Sequence, residues 1–256
     1  MMHNPAAMLE SFIHRVRGIQ SVGASGWRAL SRDWRLAAAE IEPLLLPMSA
    51  RKPGGVIVDV GANVGHWSDA CIRLLKPAKL ICYEPSPLAA SILRDRLSRG
   101  SIADVREFAV GDAEGDTQLQ MWSQSELNTT KSMYDTGKRL HGLPSHEVPQ
   151  YVQVRRTTLD AQLETVRKIR ILKIDVQGAE SEVLAGARGV LQRTECLLLE
   201  IMLVQGNYYV GALPGVQLLA QVESQSPLRL SAMTAPAFDS YGRGVWANAV
   251  LINHDS

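Results

Sequence analysis

The chain has 256 residues, 46% of them hydrophobic, and a formal net charge of +1. That suffices for one sizeable core plus an extension, and the near-neutral balance supplies no global field to draw in nucleic acid or an acidic partner. No run of about 18 apolar residues reads as a membrane span, and the N-terminus lacks the apolar run and small-residue cleavage site of a secretion signal, so the expected location is the cytoplasm.

Residues 1–50 read as a helical extension. Pro5 can open a first helix, with Met8, Leu9, Phe12, Ile13 and Val16 at helical spacing. A second is expected from Trp27 to Leu46, with Trp27, Leu30, Trp34 and Ile41 on its apolar side. Arg15, Arg17, Arg28, Arg32 and Arg35 are interspersed rather than gathered on one face, which favours a cap on the main domain or a homo-oligomer contact over a membrane-surface helix. Pro47 and Lys52-Pro53-Gly54-Gly55 form a linker, and the main domain is expected over 51–256.

From Val56 onward strands and helices alternate. Strands are expected at Val56–Val60, Leu80–Glu84 and Val105–Val110, with helices at His66–Leu75 and Leu88–Leu97. This order predicts an α/β fold with a doubly wound, mostly parallel sheet and right-handed crossovers. A short strand follows at Thr117–Trp122, then a long polar insertion loop at 123–149, of the kind that is either functional or disordered. Later elements are a strand at Tyr151–Thr157, a short helix at Leu159–Val166, a strand at Ile169–Val176, a helix at Glu180–Leu191 and a strand at Cys196–Leu203. A helix at Leu213–Glu223 precedes two last strands, Leu228–Met233 and Val245–Ile252, expected as an antiparallel pair at the sheet edge. Cys71, Cys82 and Cys196 sit in apolar runs without metal spacing and read as reduced core thiols.

The chemistry is concentrated at strand ends. Val56–Val60 runs into Gly61-Ala62-Asn63-Val64-Gly65, a strand that turns into a helix through glycine and aims free N–H groups at a ligand. A dinucleotide fingerprint would need glycine where Asn63 and His66 stand. The pattern, with Asp59 two residues before the first glycine, suits a nucleoside and amino-acid site better than a pyrophosphate cradle. Glu84 closes the second strand about twenty residues on, where an acid can accept both ribose hydroxyls of an adenosine; otherwise it is a helix N-cap or a solvated turn acid ahead of Pro85-Ser86-Pro87. Asp112 is a candidate for the adenine amino group or for an Asx turn. Asp59 either meets a ligand ammonium or is a buried acid paired with Lys173; Asn63 braces the glycine loop or touches a carboxylate. Asp175, Glu180 and Glu200 are candidate general bases at the same rim, with Asp175 first because strand alternation puts it on one face with Lys173. Asp175 otherwise makes a structural salt bridge and Glu180 otherwise caps its helix. His66, His141 and His146 are further candidates, the last two on the long loop. A divalent metal held by Asp175 and Glu200 is an alternative that no ligand spacing supports. An acceptor pocket is expected between the 123–149 loop and Gln205–Tyr209, with Tyr208, Tyr209 and Trp122 as stacking candidates.

Four segments in order, Val58–Gly65, Tyr83–Pro87, Ala109–Asp112 and Leu172–Glu180, resemble the FkbM-type family of S-adenosylmethionine-dependent methyltransferases, a class I family. The similarity runs from about Val56 to Glu200, and the last segment, Leu172-Lys173-Ile174-Asp175-Val176-Gln177-Gly178-Ala179-Glu180, is the most specific. The resemblance implies a Rossmann-like sheet of seven strands and S-adenosylmethionine as cofactor. It also implies methyl transfer to a hydroxyl oxygen of a small-molecule, sugar, glycan or natural-product acceptor. It assigns Asp59, Gly61, Asn63, Gly65, Glu84 and Asp112 to the cofactor and places Asp175 and Glu180 in the family signature. Two departures stand out: Gln177 where the signature more often has Glu, and Asn248 in a last strand that often carries an acid before its apolar run. The rival expectations are a nicotinamide-dependent oxidoreductase and a non-catalytic nucleoside-binding scaffold.

Overall fold

Four β-branched residues and one aspartate make the stretch Val56–Val60 a strand buried on both faces, and the sheet grows from it in both directions. The computed structural model describes Ile41 and residues 53–98, 101–203, 208–239 and 241–253. The helices expected over 1–50 thus lie outside the described residues, save Ile41, as does 205–207 of the expected acceptor wall. In chain order the elements are β1 (Val56–Val60), α1 (His66–Leu75), β2 (Lys79–Tyr83), α2 (Pro87–Leu97), β3 (Ala103–Arg106), β4 (Ala109–Val110) and β5 (Gly115–Met121). There follow a 3-10 turn (Ser125–Leu127), α3 (Asp135–Leu140), β6 (Gln150–Thr157), α4 (Leu159–Gln162), β7 (Ile169–Ile174), α5 (Glu180–Ala185) and α6 (Arg188–Gln192). The last are β8 (Thr194–Met202), α7 (Gly215–Gln225), β9 (Leu228–Met233), β10 (Ala237–Phe238) and β11 (Gly244–Asn253).

The main sheet runs β10-β11-β8-β7-β1-β2-β3, with β9 also on β11. β3, β2, β1, β7 and β8 are parallel neighbours, whereas β11 is antiparallel to β8, β9 and β10. This is the expected doubly wound sheet with an antiparallel edge. It has eight strands rather than seven, because the two-residue β10 lies on the same side of β11 as β9. Strand order reverses between β1 and β7, so the crevice for a ligand falls at the carboxyl ends of those two strands.

Alternation along the strands divides the core. Val58, Val60, Ile81, Leu172 and Ile174 pack against α5, α6 and α7 through Val183, Leu184, Val190, Leu218 and Val222. Ile57, Leu80, Cys82 and Ile171 face the other way, onto Trp67, Cys71, Leu93 and Leu97 of α1 and α2, together with Ile41. Each such aliphatic side chain contributes roughly 1.5–3 kcal/mol by its burial. The three cysteines are free and buried, as expected, and burial pushes their thiols up.

The expected third strand, Val105–Val110, is divided. β3 stays in the main sheet, while β4 leaves it to join a three-stranded sheet, β4-β6-β5. Val105 and Ala109-Val110 are alike apolar, so their residue type does not show the change of partner. The helix expected over Glu180–Leu191 is also two pieces. The Asp160 carboxylate accepts the N–H groups of Gly189 (3.0 Å) and Val190 (2.8 Å) and so starts α6 afresh. The 123–149 insertion is structured. Trp122, Leu127, Met133 and Leu143 pack with Tyr208, Tyr209 and Val245 in a third apolar cluster, which hangs the insertion over the carboxyl edge of the sheet. None of the described helices is long and apolar enough to cross a membrane.

Candidate active site

A cavity of about 400 Å³ opens at the switch point. Its floor is the turn after β1. Gly61 has φ 80°, and a Cβ there would stand 1.8 Å from the carbonyl oxygen of Asp175, so only glycine fits where the ends of β1 and β7 converge. The N–H groups of Gly61 and Ala62 both donate to the carbonyl of Tyr83, at 3.0 Å each, which ties the bend to the end of β2.

Glu84 follows directly. Its Oε2 accepts from the N–H of Asn63 and its Oε1 from the N–H of Ser86, both at 2.8 Å. The side chain is 5% exposed, and burial pushes its carboxyl up to about 7 despite those two donors. The job of N-capping α2 falls to Ser86, whose Oγ accepts from Ala89. Glu84 is thus left to brace the bend and face the cavity, each oxygen keeping a lone pair for a further donor. Asn63 has φ 47°, and among the described residues nothing bonds its buried Oδ1. Phe108, Ala109, Val110 and Leu119 give the same end an apolar wall.

The other end carries Asp175, Gln177 and Glu200. Lys173 Nζ donates to Asp175 Oδ2 at 3.0 Å. Gln177 Nε2 donates to Asp175 Oδ1 and to Glu200 Oε2, each at 3.0 Å. Tyr209 Oη donates to Gln177 Oε1 at 2.7 Å. His141 and Trp246 line this end, their ring centroids 5.7 Å apart, and burial holds the His141 imidazole below its ordinary value.

The structure therefore brings Gly61, Asn63, Glu84, His141, Asp175, Glu200 and Tyr209 together and leaves the other candidates outside the lining. Asp59 is fully buried below the floor, accepting from Ser68 Oγ at 2.6 Å and paired with Lys173 at 3.5 Å; burial raises its pKa. Of its two expected settings the structure has the buried pair. Gly65 opens α1, with Leu93 against its Cα. Asp112 is half-exposed beside Arg156 (3.4 Å) and does not line the cavity, because the pairing of β4 with β6 turns it outward. Glu180 is buried and accepts from the N–H groups of Val176 and Gly178 at 3.1 Å, and burial pushes it up to about 7. It holds the loop after β7 rather than facing the cavity. His66 contacts Arg96, and His146 is exposed. Phe108 and Thr129 were not legible as site residues, and Gln177 was legible only as a departure from the family signature. For Gln177 the available signal was its place two residues after Asp175.

A glycine bend, an acid at the end of the next strand and a cavity over the switch point define a nucleoside-binding enzyme of the Rossmann-like class. Within that class the chain belongs to the FkbM methyltransferase family: the model described as methyltransferase FkbM domain matches residues 59–214. Its cofactor is S-adenosylmethionine. The fit is physical, since Gly61 leaves a cradle that a Cβ would fill and Asn63 Oδ1 has a polar atom to spare. The chain is 27% identical over 214 residues to the 2-O-methyltransferase NoeI of Sinorhizobium fredii, covering 79% of this chain and 81% of that protein. It is 26% identical over 180 residues to the hexuronic acid methyltransferase AglP of Haloferax volcanii, covering 68% of each. Among solved structures it resembles methyltransferase FkbM from Methylobacillus flagellatus, with a TM-score of 0.47, 12% identity, and coverage of 94% of this chain and 60% of that one.

Proposed function

We propose that this enzyme methylates a hydroxyl oxygen on a sugar, glycan or natural product. The observation that carries this is one continuous cavity with Gly61, Asn63 and Glu84 at one end and Asp175 and Glu200 at the other. The names of the two relatives, a 2-O-methyltransferase and a hexuronic acid methyltransferase, support a sugar hydroxyl. Glu84 would accept the ribose hydroxyls, Gly61 would let the backbone approach, and Asn63 would meet the amino-acid end. S-adenosylmethionine, when bound, supplies an electrophilic methyl group on a sulfonium. The protein's own task is to hold the acceptor oxygen in line and keep water away, for which well-oriented reactants gain roughly 7–11 kcal/mol. His141, Tyr209 and Trp246 give a sugar ring flat surfaces to rest on.

The acceptor proton goes to a carboxylate oxygen of Asp175, which keeps a lone pair beside each of its bonds to Lys173 and Gln177. Glu200 would orient a neighbouring hydroxyl. Glu180 supports the loop that carries Gln177, and Asp59 with Lys173 fixes Asp175 from below. The N-terminal 50 residues would cap this domain or join copies of it, which light scattering of the full chain tests. Mass spectrometry of glycosides and polyols incubated with the enzyme and S-adenosylmethionine tests the reaction itself, by a gain of one CH2. Asp175→Asn should lower turnover by about 10²-fold or more, the scale of a general base, and leave cofactor affinity in place. Cofactor binding without turnover on any hydroxyl acceptor would favour the scaffold instead.

A further inference from the structure

Both polar atoms of the Gln177 side chain and its main-chain carbonyl are bonded. Its Nε2 reaches Asp175 and Glu200 at 3.0 Å each, its Oε1 takes the Tyr209 hydroxyl at 2.7 Å, and its main-chain carbonyl takes Thr129 Oγ1 at 2.7 Å. The orientation of the amide is fixed by chemistry. Carboxylates only accept, so the nitrogen must face the two acids and the oxygen the phenol. The backbone at Gln177 is left-handed, φ 56°, a conformation that a residue with a Cβ adopts only when its surroundings hold it there. Thr129, reaching over from the insertion, supplies that hold.

Two carboxylates brought this close repel unless something donates between them. A metal ion is one solution, an N–H pair another. A divalent cation binds carboxylate oxygen at about 2.0–2.6 Å, so it would fit between these acids after a movement of roughly half an ångström on each side. Among the described residues no three His, Cys, Asp or Glu side chains are placed to hold a metal. Gln177 is what keeps this cluster at two acids rather than three.

We propose that Gln177 is the positioning residue of the acceptor end, its amide standing where a divalent cation would otherwise join Asp175 to Glu200, so that transfer needs no such cation. The proposal rests on the reading of this cavity as the methyl-transfer site. It makes the two N–H bonds do a metal's geometric work without its charge. Both carboxylates then remain acceptors, which suits neighbouring hydroxyls of a polyol.

The test compares the full-length protein with Gln177→Glu and Gln177→Ala. Each variant is first shown to be folded by its thermal transition and by binding of S-adenosylhomocysteine. Isothermal titration with Mn²⁺ should find Gln177→Glu binding at least about tenfold more tightly than the wild type, since three carboxylates then converge on one point. Equal Mn²⁺ affinity in the two proteins would overturn the proposal. Wild-type turnover should survive EDTA, and a loss restored by Mn²⁺ would also overturn it. Gln177→Ala should cut kcat about tenfold or more with cofactor affinity held within about twofold; an unchanged kcat would count against a positioning role. The Mn²⁺ contrast is read without any acceptor. A wild type that methylates nothing would therefore sink the methyl-transfer reading while leaving the cation seat separately tested.

Discussion

Cofactor binding should depend on pH through Glu84, and the sign follows from its surroundings. Burial pushes the carboxyl up to about 7, against the pull of the Ser86 and Asn63 N–H groups. Ribose hydroxyls donating to its oxygens would favour the ionised form and bring the pKa back down. Between the bound and free values, the empty site must release a proton to bind. Affinity should therefore be full above about pH 8 and fall as pH drops below 7. At pH 6 about one site in ten is ionised, which weakens binding about tenfold, or about 1.4 kcal/mol. The assay is isothermal titration of S-adenosylhomocysteine at pH 8 and pH 6, in two buffers of different ionisation enthalpy. Close to one proton should be released at pH 6 and almost none at pH 8. Glu84→Gln should bind more weakly at pH 8, by roughly 1.5–3 kcal/mol for a lost charge-assisted bond, and should lose the pH dependence, so that its deficit against the wild type shrinks by about 1.4 kcal/mol at pH 6. A wild type with equal affinity at both pH values, or a Gln variant with an unchanged slope, would refute the assignment of Glu84 to the ribose.

Glu180 titrates in the same range but acts on stability. Its folded pKa of about 7 lies above its ordinary 4.5, so its contribution is complete below that value and is lost as pH rises through 7. From pH 6 to pH 8 this costs about 1.4 kcal/mol. The Glu180→Gln variant should lose about 3–5 °C less of its Tm than the wild type over that interval by differential scanning fluorimetry. Gly61→Ala should lower Tm by about 5–15 °C and abolish cofactor binding, since left-handed strain adds to a collision with the Asp175 carbonyl; a normal melting curve would show that the bend opens easily. Asp112→Ala should leave the dissociation constant for S-adenosylhomocysteine within about twofold, because the side chain pairs with Arg156 outside the cavity. A larger loss would return Asp112 to the adenine.

Strands β1, β2, β7 and β8 were legible because each carries a β-branched or aliphatic run. Helix α1 ends where Pro77 forbids it to continue, and its predicted span is the observed one. What failed was partner choice. Ala109-Val110 is as apolar as Val105, so nothing in the pattern shows that it belongs to a different sheet. The expected place of Asp112 at the adenine rested on β4 standing in the main sheet, whereas its side chain lies beside Arg156. Asp59 and Glu84 show the same limit at the level of side chains. Both are acids at strand ends, yet Asp59 lies one residue short of the turn, on the face closed by Ser68 and Trp67, while Glu84 lies at the rim. Gln177 was visible as a departure from the family signature. Its function as a bridge depends on Glu200 and Tyr209, which only the fold brings near.

The position of β11 has a consequence for how the protein is made. On the ribosome, β8 emerges with one edge paired to β7 and the other bare, and that edge is covered only when residues 246–252 arrive some fifty positions later. Until then β9 and β10 have no strand partner either, because both pair with β11. A nascent chain stalled before Gly244 would expose the apolar run of β8 as an adhesive border, open to other unfinished chains. The slow, vulnerable moment of biogenesis is therefore expected to be the insertion of this last ribbon between two waiting segments.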